Sequence, residues 1–326
     1  MTETIAHPDG EVRIAEGPDG TKTVEVFPSE EKQFVAVRRC KTSYSNELIR
    51  QILDAKGIAW LCDEINRDED PNYVEKYLTN DLEAYFGTAD LAGKRVLDFG
   101  SGSGASTAIL ARTYPDTDFI GVELLAEHLV VAQGRAEHHH LTNVRFFLSP
   151  SESSLPADVG EFDLVIMSAV VEHLLPDERK VLLPLLWSVI KPGGYLFLDQ
   201  TPYRWFPLEL HTTMLPFINY LPDRLAETYA KTFSRRVDKS ESWTSLLRMG
   251  IRGATLGEIS SLLEGNQTLN CNGNDGVNDQ IDLWYKSTNP QRSAGLKRSA
   301  KGILKLVNRL TGICMVPDLA VAFRKK

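Results

Sequence analysis

The chain has 326 residues, of which 42% are hydrophobic and 25% charged, with a formal net charge of −8. This is ample apolar material for a buried core, which excludes a disordered or fibrous chain. The acidic balance disfavours a broad, sequence-independent grip on nucleic acid, which needs an excess of Lys and Arg, and leaves a local basic patch open.

In chain order, residues 1–43 read as a polar N-terminal arm or small hairpin, with Pro8-Asp9-Gly10 and Pro18-Asp19-Gly20 as turn signals. The segment Met1 to Glu11 lacks the basic start and apolar stretch of a signal peptide, and no apolar run reaches the roughly 20 residues of a membrane span, so a cytoplasmic location is expected. Residues 44–86 read as a helical cap, because apolar residues recur at helical spacing over Glu47 to Asn66 and Tyr73 to Phe86.

From residue 87 to 326 the pattern changes to short apolar strands, Arg95 to Phe99, Asp118 to Val122, Val144 to Leu148, Phe162 to Met167 and Tyr195 to Asp199. Helical stretches at Ser106 to Tyr114, Leu125 to His138 and Pro176 to Ile190 separate them. That alternation predicts an α/β fold, a doubly wound, Rossmann-like and mostly parallel sheet with helices on both faces. An insertion is expected at about 201–255, with helices from Arg224 to Lys231 and from Thr255 to Leu263. Asn266 to Asp279 reads as a loop around a short strand, and a basic helix and an apolar strand, Leu319 to Phe323, close the chain. Cys40, Cys62, Cys271 and Cys314 lie far apart without a Cys-x-x-Cys pair, so neither a zinc framework nor a disulfide scaffold is expected. The triplet His138-His139-His140 sits at a helix end, where consecutive side chains diverge, and no metal is assigned to it.

The segment Val96-Leu97-Asp98-Phe99-Gly100-Ser101-Gly102-Ser103-Gly104 is a buried strand running into a glycine-dense turn before a helix. Gly100, Gly102 and Ala105 also fit the dinucleotide pattern Gly-x-Gly-x-x-Ala, so the glycines alone leave a nicotinamide cofactor open. Asp98 weighs against a pyrophosphate and welcomes a cationic ligand. With Gly100, Gly102 and Gly104 it gives Asp-x-Gly-x-Gly-x-Gly, which resembles the first motif of the class I S-adenosylmethionine-dependent methyltransferases. The resemblance implies S-adenosyl-L-methionine as cofactor, with Asp98, Gly100, Ser101, Gly102 and Gly104 against the methionine moiety. Glu123, about 20 residues past the loop, is placed to accept the ribose hydroxyls, with Leu124 beside it.

Ser151-Glu152-Ser153-Ser154-Leu155-Pro156 resembles the family's adenine-contacting turn, where an Asp usually stands in place of Ser151; Ser151 or Glu152 then meets the adenine. The run from Phe162 to Leu174, through Ser168, and the later Lys191-Pro192-Gly193-Gly194 resemble the fourth motif and the turn that follows it. His173 reads either as a base at the mouth of the sheet or, as the resemblance implies, as support for the loop beneath the cofactor.

Thr201 to Thr213 follows the fifth strand and emerges at the carboxyl edge, where open α/β sheets bind ligands. Its Pro-x-Arg-Trp-Phe-Pro-x-Glu-x-His-Thr run resembles methyltransferases of bacterial surface-glycan and related biosynthetic pathways, which implies O-methylation of a small-molecule, saccharide or glycolipid acceptor. His211 and Glu209 are the candidate catalytic bases, or else fix the insertion by hydrogen bonds; Arg204 clamps an anionic acceptor or pairs with Glu209. The basic amphipathic stretch 292–310 is a candidate for peripheral membrane contact. A nicotinamide-dependent sugar-modifying oxidoreductase or epimerase, and a non-catalytic cofactor-binding protein, are the competing functions; the absence of a Tyr-x-x-x-Lys pair weighs against the first.

Overall fold

The computed structural model describes residues 2–30, 33–151, 154–157, 159–287 and 294–326. Along the chain run β1 (Thr2–His7), β2 (Gly10–Glu16), β3 (Lys22–Pro28), β4 (Arg39–Thr42), α1 (Asn46–Lys56), α2 (Leu61–Glu69), α3 (Val74–Glu83), α4 (Thr88–Leu91), β5 (Arg95–Phe99), α5 (Ala105–Thr113), β6 (Asp118–Glu123), α6 (Ala126–His138), β7 (Val144–Leu148) and β8 (Phe162–Ser168). They continue as α7 (Pro176–Ser188), β9 (Ile190–Pro202), α8 (Asp223–Phe233), α9 (Trp243–Arg248), α10 (Leu256–Ser261), β10 (Asn266–Thr268), α11 (Gln280–Ser287), α12 (Ala294–Thr311) and β11 (Asp318–Lys325). The chain divides into two compact units, Met1–Thr79 with Ser101–Ser149 and Asn80–Gly100 with Pro150–Lys326.

In the first unit, β1 to β4 form an antiparallel meander in chain order. The two Pro-Asp-Gly signals lie in its first two turns, and alternation along β2 and β3 buries Val12, Ile14, Val24 and Val26 while Arg13 and Glu25 face the other way. Residues that read as an arm or small hairpin are therefore a four-stranded sheet; charged outward positions mask its apolar face in the sequence. That face packs with Leu48, Ile49, Ile52 and Leu53 of α1 and Ile65 of α2. Ser45 caps α1, its Oγ accepting from the Leu48 N–H at 3.1 Å. Gly57, at φ +70°, ends α1 with its N–H donated to the Leu53 carbonyl at 2.8 Å, so the single helix expected from Glu47 to Asn66 is two. In the same unit β6 and β7 pair in parallel, Phe119 opposite Val144 and Glu123 opposite Leu148, with α5 and α6 packed on them.

In the second unit β5 pairs in parallel with β8, and β8 with β9; β11 runs antiparallel along β9, and β10 along β11. The central strands are continuous buried apolar runs, Leu164 to Met167, Leu196 to Leu198 and Leu319 to Phe323, as expected of a sheet covered on both faces. This mostly parallel α/β arrangement is the expected Rossmann-like class. Lys191-Pro192-Gly193-Gly194, expected as a turn before the fifth strand, lies inside β9: a register shift between Phe162 and Leu164 and the φ of +79° at Gly193 absorb it within the ladder. The insertion carries α8 and α9 around its own small core of Ile218, Ala226, Ala230, Val237, Leu246 and Ile251. The helices α9 and α11 lie where the sequence showed no helical period. Among the described residues, no helix is long and apolar enough to cross a membrane.

Carboxyl groups crowd the interior of this second unit. Burial and the neighbouring Asp199 push Asp318 up to about 6, and Asp81 and Asp199, themselves buried, are both raised. A carboxyl whose pKa is raised in the folded state binds its proton more tightly there, so the stability it confers is complete below the unfolded carboxylate range near about 4 and is lost as pH climbs through the folded value. We predict that urea midpoints fall as pH rises from about 5 to about 8. In Asp318→Asn the midpoint at the upper end should rise above wild type and the slope should shrink; an unchanged slope would show that Asp318 is ionised in the fold.

Candidate cofactor and acceptor site

In the first unit, Glu123 ends β6 and turns its carboxylate back on the glycine-dense loop. One oxygen accepts from the Gly102 N–H at 2.9 Å and the other from the Leu125 N–H at 3.1 Å, with His128 Nδ1 at 3.7 Å. Burial opposes ionisation, but His128 and the amides outweigh it and hold Glu123 below the ordinary glutamate value. A carboxylate offers several acceptor directions on its two oxygens, the kind of group a pair of ribose hydroxyls would require. The next side chains, Leu124 and Leu125, stand exposed.

The loop between β5 and α5 is shaped by three left-handed glycines, at φ +75°, +55° and +80° for Gly100, Gly102 and Gly104. A Cβ on Gly104 would lie 2.6 Å from that of Ala132, whereas one on Gly102 would meet nothing within 4 Å, so the backbone at Gly102 borders open space. Ser101 donates its N–H to the Val122 carbonyl at 3.0 Å, and its buried Oγ has no hydrogen-bond partner among the described residues. An open glycine turn with an orphaned hydroxyl and an ionised, accepting carboxylate fits the polar end of a nucleoside-containing cofactor.

Beneath the loop lies a network the sequence did not reveal. Arg135 on α6 is fully buried; it donates to the Ser103 carbonyl at 3.1 Å, to Ser103 Oγ at 3.0 Å and to the Glu64 carbonyl at 2.7 Å, with the Glu64 carboxylate at 3.3 Å. Ser103 Oγ donates in turn to Glu64 at 2.5 Å. Nearby, His139 lies 2.8 Å from the buried Asp68, and His138 lies 3.1 Å from Ser43 Oγ, so two members of the histidine triplet tie the end of α6 to the N-terminal region.

In the second unit, Asp98 is buried at the end of β5, and a Cβ on Gly100 would lie 2.7 Å from Val170. Ser168 ends β8 and donates to Asp199 at 3.2 Å. The backbones of Ala169, just past the carboxyl end of β8, and of Gln200, within the last residues of β9 beyond its pairing with β8, are left-handed at φ +53° and +51°, the kind of local strain that gathers at ligand sites. Ser151 Oγ is 2.8 Å from Ser154 Oγ; Glu152, the other candidate for the adenine, lies outside the described residues.

The insertion brings His211 to His173, with ring centroids 5.5 Å apart. His173 Nδ1 is 2.7 Å from the Arg248 carbonyl, which assigns the N–H to Nδ1 and leaves Nε2 as an acceptor. Arg248 is held in turn by the Glu178 carboxylate at 2.6 Å. Gly250, at φ +91°, allows His211 to lie against its turn, since a Cβ there would come within 2.7 Å of the ring.

Glu209, the other candidate base, is bonded to its own loop. Its buried carboxylate accepts the N–H groups of His211 and Thr212, both at 2.7 Å, together with the N–H and hydroxyl of Thr213, so it folds the loop that carries His211. The carboxyl group beside the two imidazoles is Glu172, fully buried, pushed up to about 8 by that burial, and with both oxygens unbonded among the described residues. Glu172, His173 and His211 offer one ligand atom each, all within 4.8 Å of one another, a carboxylate and two imidazoles of the kind that could hold a divalent cation. Glu172 stands just past the fourth strand in the run from Phe162 to Leu174; only its burial, invisible locally, marks it.

A family model described as a methyltransferase domain matches residues 90–240. Over 107 residues the chain is 32% identical to a ubiquinone biosynthesis O-methyltransferase of Acinetobacter baylyi, covering 33% of this chain and 43% of that protein. Over 156 residues it is 30% identical to a tRNA (guanine-N(7)-)-methyltransferase of Nitrosomonas europaea, covering 45% of this chain and 68% of that protein. The chain thus spans less than half the length of the ubiquinone-pathway relative. Among solved structures, CalS10 of Micromonospora echinaspora, an amino pentose methyltransferase involved in calicheamicin biosynthesis and bound to S-adenosylmethionine, is 26% identical, with 42% of this chain and 51% of that chain covered and a TM-score of 0.32.

Calorimetric titration with S-adenosylmethionine should show Glu123→Ala and Asp98→Ala each weakening binding by about tenfold or more, about 1.4 kcal/mol for losing a charge-assisted contact. Wild-type affinity in both variants would remove these carboxylates from the cofactor site.

Proposed function

Because the chain belongs to the class I S-adenosylmethionine-dependent methyltransferases, we propose that it methylates a hydroxyl of a small-molecule, saccharide or glycolipid acceptor received beyond the carboxyl ends of β8 and β9. The nicotinamide alternative falls with that membership. The cofactor supplies a methyl group already activated on a sulfonium centre, so the protein has to orient the acceptor and dispose of its proton.

The observation that carries this reading is the pairing of His211 with His173 just past the end of β8, on an insertion whose loop is locked by Glu209. Burial lowers the pKa of His211, and the neighbouring His173 lowers it further, so the His211 imidazole is neutral near pH 7 and has a lone pair for the acceptor proton. His173, its ring fixed through Nδ1 by the Arg248 carbonyl, stands beside His211 with ring centroids 5.5 Å apart. Glu209 acts through the loop and takes no proton itself.

On the cofactor side we assign Glu123 to the ribose hydroxyls, the exposed Leu124 to one face of the adenine, and Ser151 to its edge. Gly100, Ser101, Gly102 and Gly104 with Asp98 receive the methionine portion, and Ser168 borders it. The O-methyltransferase name of the ubiquinone-pathway relative supports oxygen as the methylated atom. The saccharide in this proposal rests on the resemblance of the Thr201 to Thr213 segment to methyltransferases of bacterial surface-glycan and related pathways.

Methyl-labelled S-adenosylmethionine incubated with the protein and fractionated cell extract should label the glycan, lipid or small-molecule fraction; label confined to nucleic acid or protein would contradict the assignment. His211→Ala should lower kcat by about a hundredfold, within the usual range for a general base, with cofactor affinity unchanged. Loss of cofactor binding in that variant would move His211 out of the acceptor side.

A further inference from the structure

The helix α12 is amphipathic in the wrong sense for a soluble surface helix. It carries five cations, Lys297, Arg298, Lys301, Lys305 and Arg309, and no acidic residue. Its lysines turn inward: Lys301 pairs with Asp282 at 2.8 Å, Lys305 reaches Asp279 at 2.5 Å and Asp282 at 2.8 Å, and Lys297 lies 5.2 Å from the centre of the Trp284 ring. Its large apolar residues turn outward. Ile303, Leu306 and Leu310, spaced to share one face, are 63%, 56% and 75% exposed, and Ile313 just beyond the helix is 43% exposed. A helix held to its own domain through lysines, with its leucines in solvent, has its apolar face free for something else.

We propose that this face seats on the surface of an anionic phospholipid bilayer, with Ile303, Leu306, Leu310 and Ile313 entering the acyl boundary and the exposed Arg298 and Arg309 meeting lipid phosphates. Charge selects this occupant. The chain as a whole is −8, so an anionic surface repels most of it, and with Lys301 and Lys305 paired to Asp282 and Asp279 it is the exposed Arg298 and Arg309 of this acid-free helix that it attracts. A second copy of the chain fits less well, because a two-fold contact through this stripe sets two acid-free cationic helices side by side. The stripe also leads to the acceptor edge: Ile313 stands four residues before Pro317, whose carbonyl accepts the N–H of Tyr203 at 2.8 Å, where the acceptor segment begins. Docking through α12 thus holds the carboxyl edge of β9 toward the lipid, where a lipid-linked hydroxyl is presented. The membrane contact does not depend on the methyl-transfer assignment.

Flotation of the full chain with vesicles of phosphatidylcholine alone, or of phosphatidylcholine with phosphatidylglycerol, tests this directly. The wild type should partition at least about tenfold more strongly onto the anionic vesicles, and added salt should weaken it. Ile303→Asp with Leu310→Asp should abolish binding, and Arg298→Gln with Arg309→Gln should reduce it to the neutral-vesicle level, with S-adenosylmethionine affinity unchanged as the check on folding. If the aspartates disturb the helix, Ile303→Ser with Leu310→Ser should still lose most of the binding. Equal partition onto both vesicle types, or binding indifferent to the apolar substitutions, would overturn the proposal. A lipid-independent dimer that these substitutions dissociate would assign the face to a second copy instead.

Discussion

A guanidinium sealed from water cannot stay unpaired, and Arg135 is such a group. It has no exposure, and it satisfies its charge and four of its hydrogen-bonding demands on Glu64 of α2 and Ser103 of the glycine loop. Desolvation opposes the ionised Glu64, yet Arg135, Lys56 and the Ser103 hydroxyl more than offset it and hold its carboxyl below the ordinary value. Taking two charges out of water gives little net stability, but removing one partner leaves the other buried alone, at about 3–5 kcal/mol. The pair therefore acts as a constraint. It ties α2, α6 and the loop to one geometry, and the left-handed turns at Gly102 and Gly104 and the amide that Gly102 offers to Glu123 follow from that geometry.

The acceptor side uses the opposite device. There Glu209 spends its whole carboxylate on backbone and hydroxyl donors of its own loop, while Glu172 sits buried with no hydrogen-bond partner among the described residues and with His173 Nε2 at 3.8 Å. A buried carboxyl without donors is kept neutral by its surroundings, and it leaves a polar gap beside two imidazoles at the sheet's carboxyl edge. The left-handed backbones of Ala169 and Gln200 place the ends of β8 and β9 in the same category: local conformations that folding alone does not favour.

What the sequence disclosed follows from the same physics. Strands β5, β6 and β8 were legible because strands of a covered parallel sheet are written as short apolar runs between turn signals, β7 was legible from its apolar run although Phe147 and Leu148 stand exposed, and the approach of Glu123 to the Gly102 amide was legible because a glycine turn and a strand-end acid recur at a fixed spacing. The N-terminal sheet was not, since Arg13 and Glu25 alternate with its buried valines and a polar strand resembles a polar arm. The start of β9 was missed because Pro192, Gly193 and Gly194 signal a turn even where a bulge absorbs them. Arg135, Glu172 and Glu209 are ordinary polar residues in their local context; their roles exist only where distant segments meet, as Glu64 and Arg135 do across 71 positions.

The measurement that bears most directly on this account is a double-mutant cycle on Glu64 and Arg135, read as calorimetric affinity for S-adenosylmethionine in chains whose urea midpoints confirm folding. If the buried pair sets the loop, Glu64→Gln and Arg135→Met should each weaken the cofactor by about tenfold or more, and the double variant should recover part of that loss because neither charge is left stranded. Full cofactor affinity in the folded single variants would show that the loop keeps its geometry without the pair, and would contradict the account.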